Sequence, residues 1–121
     1  MNTYQDALAK FNTARNKSDG KPLASNKRLY QRSDGSIEVV LYNTSIVVLH
    51  PDNTLTLNTG GWNTITTRKH INKHLPDGVY LFSRNWELQL GRALNANDWS
   101  RRAVIKFKDG IRIDSKGRLV L

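Results

Sequence analysis

Cysteine is absent from the sequence, methionine occurs once and proline three times. Without thiols there is no disulfide framework, no thiolate zinc site and no thiol catalysis, and the composition suits a reducing compartment. No apolar run approaches the roughly 18–20 residues that a membrane-spanning helix needs. The opening segment MNTYQDALAKFNTARNK carries Asp6 and lacks an apolar stretch, so it does not read as a secretory signal. Carboxylates are scarce as well. Ten Asp and Glu face nineteen Lys and Arg, a formal charge of +9 in 121 residues. A soluble, cytoplasmic protein with no membrane partner is expected, and the length suits one domain, since a single core commonly serves about 100–150 residues.

What is present is positive charge on an alternating scaffold. An excess of this size draws anions whatever the fold, and nucleic acid is the commonest partner of a small basic domain. Charge kept only for solubility is the competing explanation. Tyr4, Ala7, Leu8, Phe11 and Ala14 recur at helical spacing, which predicts a helix over Thr3 to Asn16 with Thr3 as its cap. Lys21 to Asn26, with Pro22, reads as loop. Strands are predicted over Arg28–Arg32, Ile37–Tyr42, Ser45–His50 and Thr54–Asn58, with Ile37, Val39 and Leu41 facing inward. A second helix is expected from Thr64 to Leu75, stopped by Pro76-Asp77-Gly78. Beyond it, Val79–Phe82 and Trp86–Leu90 read as a hairpin with Trp86 in the core, and Gly91–Ser100 as a long polar connection. Ala103–Lys108 and Ile111–Asp114 read as a hairpin about Asp109-Gly110, with a short strand at Leu119–Leu121. The sum is one α+β domain over residues 1–121, with a mostly antiparallel sheet of about seven short strands and two helices.

The charge is unevenly laid out. From Lys10 to Arg32 there are seven basic residues and one acid, Asp19; from Ser33 to Thr67 there is no Lys or Arg. Two clusters follow. Arg68, Lys69 and Lys73 lie on the second helix, with Lys69 and Lys73 four apart on one face, where like charges cost a little stability that an anion would offset. Arg101, Arg102, Lys106, Lys108 and Arg112 form the second. If Ile105 and Phe107 face inward, Lys106, Lys108 and Arg112 share the outer face of a two-stranded ribbon able to enter a major groove or track phosphates. An ordinary solvated face is the bland reading of both clusters. Trp62 and Trp99 are candidates for base stacking, although burial or loop anchoring is the commoner fate of tryptophan.

Catalytic patterns are weaker. His70 and His74 stand one turn apart, but Ile71 occupies the position where a zincin has Glu, and no third ligand is evident, so no metal or other cofactor is expected. Gly60-Gly61 before a helix suits a phosphate or a tight turn, and it lacks the Gly-Lys-Ser/Thr ending of a nucleotide loop. With no nucleophile elbow and no close carboxylate pair, the chain is not expected to be an enzyme.

The stretch TLTLNTGGWNTITTRKHINKHL resembles a pattern in small accessory proteins of tailed bacteriophages, Gly-Trp-x-Thr-x-Thr-Thr-(Lys/Arg)-x-x-(Ile/Leu)-Asn. It is matched at Gly61, Trp62, Thr64, Thr66, Thr67, Arg68, Ile71 and Asn72. The likeness runs from Ser45 to Ile113 and leaves out the N-terminal helix. It implies a phage protein in an infected bacterial cytoplasm, with no assigned activity or site residues. Two functions are expected from the residues and this context together. The first is non-enzymatic binding of DNA or RNA, mainly by phosphate contacts. The second is inhibition of a host protein (defence, transcription or replication) through its acidic surface.

Overall fold

A computed structural model describes residues 2–95 and 98–120. Among these residues two helices and nine strands form two antiparallel sheets, the α+β arrangement expected. Helix α1 spans Tyr4–Phe11, and the Thr3 hydroxyl caps it by accepting from the Asp6 amide at 3.2 Å. It is shorter than the apolar periodicity suggests. Asn12 ends it, and the Lys17 ammonium donates to the Asn12 and Ala14 carbonyls at 2.8 Å each, replacing the bonds a further turn would make. Ala14 is nevertheless buried, which is why the stripe reads on past the helix.

The larger sheet is a meander of β1 (Lys21–Ala24), β2 (Lys27–Gln31), β3 (Ile37–Leu41), β4 (Thr44–Leu49) and β5 (Leu55–Leu57), closed by β9 (Ile111–Ile113). Strand β1 lies where a loop was expected. Pro22 is tolerated because β1 is an edge. Ile37, Val39 and Leu41 point inward as their alternation predicts. The turn before them is held by the Ser36 amide donating to Asp34 Oδ1 at 2.9 Å, with Gly35 at φ 88. In β4 a register shift opposite Val39/Val40 accompanies four successive buried residues, Ile46 to Leu49.

The smaller sheet holds β6 (Val79–Arg84), β7 (Glu87–Asn95) and β8 (Asp98–Lys106), with helix α2 (Ile65–Asn72) packed beside β6. One apolar cluster runs through both helices and both sheets and includes Phe11, Val39, Leu57, Ile71, Leu81 and Ile113.

Three sequence expectations fail in this half. Gly91–Ser100 is not a connection: its described residues lie in β7 and β8, and Asn97 falls outside the described residues. These strand ends read as polar because they extend beyond the core with both faces exposed, Leu94 and Asn95 included. Trp86 is not core but 93 % exposed, in the two-residue turn Asn85-Trp86 whose φ values are 52 and 68. Two positive φ values match the twist of a hairpin, and Arg84 pairs with Glu87 across it. The alternation Trp86-Leu88-Leu90 hid this because Leu88 and Leu90 do pack inward.

Finally, Asp109-Gly110 turns the chain but does not close a hairpin. Strand β8 pairs with β7, whereas β9 pairs with β5 of the other sheet. The Asp109 carboxylate accepts from the Thr59 amide and hydroxyl, both at 2.8 Å, and from the Gly61 amide at 3.2 Å. The dipeptide therefore carries the chain from one sheet to the other. Of the expected last strand, Leu119 makes an isolated bridge to Ile113, and Leu121 lies outside the described residues.

Candidate nucleic-acid interface

Helix α2 is built from the threonine-rich motif. Thr64 caps it, accepting from the Thr67 amide at 3.1 Å, while Thr67, Ile71 and Leu75 are buried against the core. The remaining stripe carries Arg68, Lys69 and Lys73, with no acid in the helix. Asn72 fixes the helix to β6: its amide donates to the Leu81 carbonyl at 2.9 Å, and its oxygen accepts from the Leu81 N–H at 2.7 Å. A side chain thus takes the place of a neighbouring strand at that point of the sheet edge. The result is a cleft of about 670 Å³ in which Arg68, Lys69 and Lys73 face Tyr80 and Phe82.

Tyr80 and Phe82 belong to the outer face of the three-stranded sheet, because Val79 and Leu81 fill the inner one. Two rows cross this face, Tyr80–Gly91–Val104 and Phe82–Gln89–Lys106. A register shift between Ala93 and Asn95 accompanies the placement of Trp99 over Gly91. The Trp99 ring lies 6.1 Å from Tyr80 and 6.3 Å from Phe82, nearly perpendicular to each. Such edge-to-face contacts set the positive rim of one ring against the negative face of another. The Arg102 guanidinium covers Trp99 at 5.3 Å from its centroid and donates to the Trp99 carbonyl at 3.1 Å. Gly91 leaves the floor open: a Cβ there would stand 2.8 Å from the tip of Trp99 and 3.2 Å from Phe82. Tyr80 is 52 % exposed and Trp99 38 %.

The three strands carry five basic residues (Arg84, Arg92, Arg101, Arg102 and Lys106) against Glu87 and Asp98. Ion pairs among the described residues join Arg32 to Glu38, Arg112 to Asp52 and Arg118 to Asp114. None involves Arg68, Lys69, Lys73, Arg101, Arg102 or Lys106. Among the described residues the cations around the aromatic row thus have no carboxylate of their own, whereas Arg32, Arg112 and Arg118 do.

A description of phage origin fits this chain. Residues 6–113 match the family model described as Kyanoviridae Gp96 protein. The chain belongs to that family. This places it among phage proteins, as the resemblance implied, and the matched region reaches back into α1, which the resemblance had left out. The match spans residues 6–113 and does not establish the Gly-Trp-Thr pattern as a signature of the family. No curated protein and no solved structure matches the chain. Among the described residues of this Gp96 family member, no helix is long and apolar enough to cross a membrane.

The predicted site residues separate. Arg68, Lys69, Lys73, Arg102, Lys106 and Trp99 come together around the smaller sheet, with Arg101 exposed beside Arg102 and Lys108 exposed just past β8. Arg112 does not join them. It lies on β9 of the other sheet, donating to Thr54 Oγ1 at 2.8 Å and pairing with Asp52 at 3.2 Å, so the predicted basic ribbon does not exist. Trp62 is 64 % exposed and faces a different cleft of about 520 Å³, opposite Tyr42. The loop it belongs to is anchored by Asp109 rather than by this indole.

His70 is half-buried and His74 buried, and among the described residues no group of three His, Cys, Asp or Glu is placed to hold a metal ion. Burial first, then Lys27, Lys73 and Lys69, hold the His70 imidazole below its ordinary pKa. Tyr80, Phe82 and Gly91 are the positions of this exposed face that the sequence reading missed. In Val79-Tyr80-Leu81-Phe82 both phases of the alternation are apolar, so the aromatic phase reads as core. The available signal was that a sheet covered on only one face exposes one phase.

Proposed function

We propose that the protein binds nucleic acid without catalysing a reaction, mainly through phosphate contacts from Arg68, Lys69, Lys73, Arg101, Arg102 and Lys106. The observation that carries this reading is that Arg68, Lys69, Lys73, Arg102 and Lys106 border an exposed aromatic row, with Arg101 exposed beside Arg102, and that none of the six has a carboxylate partner among the described residues. Phosphates supply the missing charge, and release of their counterions supplies free energy. The infected bacterial cytoplasm is the proposed setting. An acidic surface of a host protein is the rival partner; it would engage the same cations but leave the ring faces unused.

Anisotropy titrations of labelled DNA and RNA oligonucleotides over a range of salt test the proposal. Affinity is expected to fall linearly on a log–log plot, and Lys69→Ala/Lys73→Ala to reduce the slope by roughly 1.4–1.8. No binding to either polymer at low salt would sink the reading. Capture of one host protein from nuclease-treated lysate, with no binding to either polymer, would favour the rival.

A further inference from the structure

We infer that the nucleic acid accepted at this surface is single-stranded, with unpaired bases laid against Tyr80, Phe82 and Trp99; this rests on the nucleic-acid reading above. The first argument is width. The sheet is three strands across, which places its outer strands about 9.6 Å apart, and α2 adds a further cylinder roughly 10 Å wide beside β6. A major groove about 12 Å wide admits a helix or a two-stranded ribbon, not a face of that breadth. The ribbon that would have fitted is absent, because β8 and β9 lie in different sheets.

The second argument is spacing. Tyr80 and Phe82 are alternate residues of one strand, about 6.8 Å apart along it. Stacked bases in a duplex rise about 3.4 Å per nucleotide, so neighbouring bases of a helix cannot each meet one of these rings. A strand drawn out to twice that rise can. Its bases also have free faces, whereas those inside a duplex are covered on both sides.

The third argument is the support given to Trp99. The bare backbone of Gly91 lets the indole settle onto the sheet, and Arg102 braces it from one side. The ring is held in place before any ligand arrives, so little side-chain freedom is lost on stacking. Arg68, Lys69 and Lys73, across the cleft from Tyr80 and Phe82, are placed to follow the phosphates of the same strand. Sequence preference is expected to be weak, because every base offers a π-face.

The test uses the full chain and two probes of matched composition, a 12-nucleotide single strand and a 12-base-pair hairpin duplex, at one low salt concentration. The single strand should bind at least about 10-fold more tightly. Trp99→Ala should weaken single-strand binding roughly 10-fold and leave duplex binding unchanged, while Trp99→Phe should restore most of the loss. Tyr80→Ala, at a more exposed ring, gives the same readout if Trp99→Ala does not fold. Equal affinity for the two probes, or single-strand affinity indifferent to both alanine variants, overturns this inference and leaves phosphate binding standing. Binding to neither probe overturns both.

Discussion

Lys27→Met should make the protein more stable at neutral pH. Lys27 lies on the core-facing side of β2, in phase with Leu29, and is 4 % exposed. Burial, and after it the charge of Lys73, push its ammonium from 10.5 down to about 8. Among the described residues no carboxylate pairs with it. The difference, 10.5 − 8 = 2.5 pH units, at 1.36 kcal/mol each sets a ceiling of roughly 3.4 kcal/mol on the penalty of holding the charge. The stem is buried but the ammonium end keeps part of its water, so about half of that ceiling, ~1–2 kcal/mol, is the expected gain.

Methionine retains an unbranched stem of similar length and removes the charge. The pH dependence has a definite sign. Between about 8 and 10.5 the unfolded chain holds a proton that the folded chain has released, so wild-type stability rises with pH through that window. The penalty is complete below about pH 8 and gone above about 10.5. Urea denaturation at pH 7 and at pH 10 reads the difference: the advantage of the variant should be largest at pH 7 and shrink as pH rises. A variant less stable than wild type at pH 7, or an advantage that does not change with pH, would refute the reasoning.

Asn72→Ala strips the Leu81 N–H and C=O of their partner; a fully buried group left unpaired costs roughly 1–3 kcal/mol, and because these two are only part-buried the loss should lie in the lower part of the summed range, ~2–4 kcal/mol, in urea melts. Gly91→Ala should displace the Trp99 indole, changing the near-ultraviolet circular dichroism and weakening oligonucleotide binding about 5-fold, with stability altered by no more than ~1 kcal/mol. His50 bridges the hydroxyls of Ser36 (3.0 Å) and Thr56 (2.8 Å), and burial followed by Arg112 holds its pKa below 6.5. Its contribution to stability is therefore complete above pH 6.5 and lost as pH falls below it. His50→Gln should flatten the acid limb of a stability–pH curve below pH 6.5, with a remnant from His70, which shifts the same way.

Periodicity made most of the larger sheet legible, because its residues alternate around one core: Ile37, Val39 and Leu41 are the clear example. The Thr3 cap was legible for a similar reason, since a hydroxyl before an apolar stripe has a local job. The smaller sheet was not. Its strands outrun the core, so Gly91–Asn95 carries too little apolar material to announce itself, and the outward rings of Tyr80 and Phe82 look like a second core face. Asp109-Gly110 misled for a different reason. The dipeptide encodes a turn, but which sheet receives the next strand depends on a carboxylate reaching Thr59, fifty residues away. The basic residues of α2 were found because a helix face is a local property, while the company they keep on β6 is a matter of tertiary packing.

That carboxylate has a consequence for how the molecule comes into being. Asp109 follows the last strand of the aromatic sheet and grips the loop that leads into α2, tying the end of one to the approach of the other across fifty residues of sequence. Loop closure over fifty residues is slow compared with a hairpin, and its entropy must be met before the junction of the two sheets offers any return. The cleft between α2 and β6 closes over a short span, from Asn72 to Leu81, whereas the junction of the two sheets needs Asp109. The two halves of the molecule thus differ in reach: α2 and β6 are joined by a local contact, while the two sheets are joined by a long-range one.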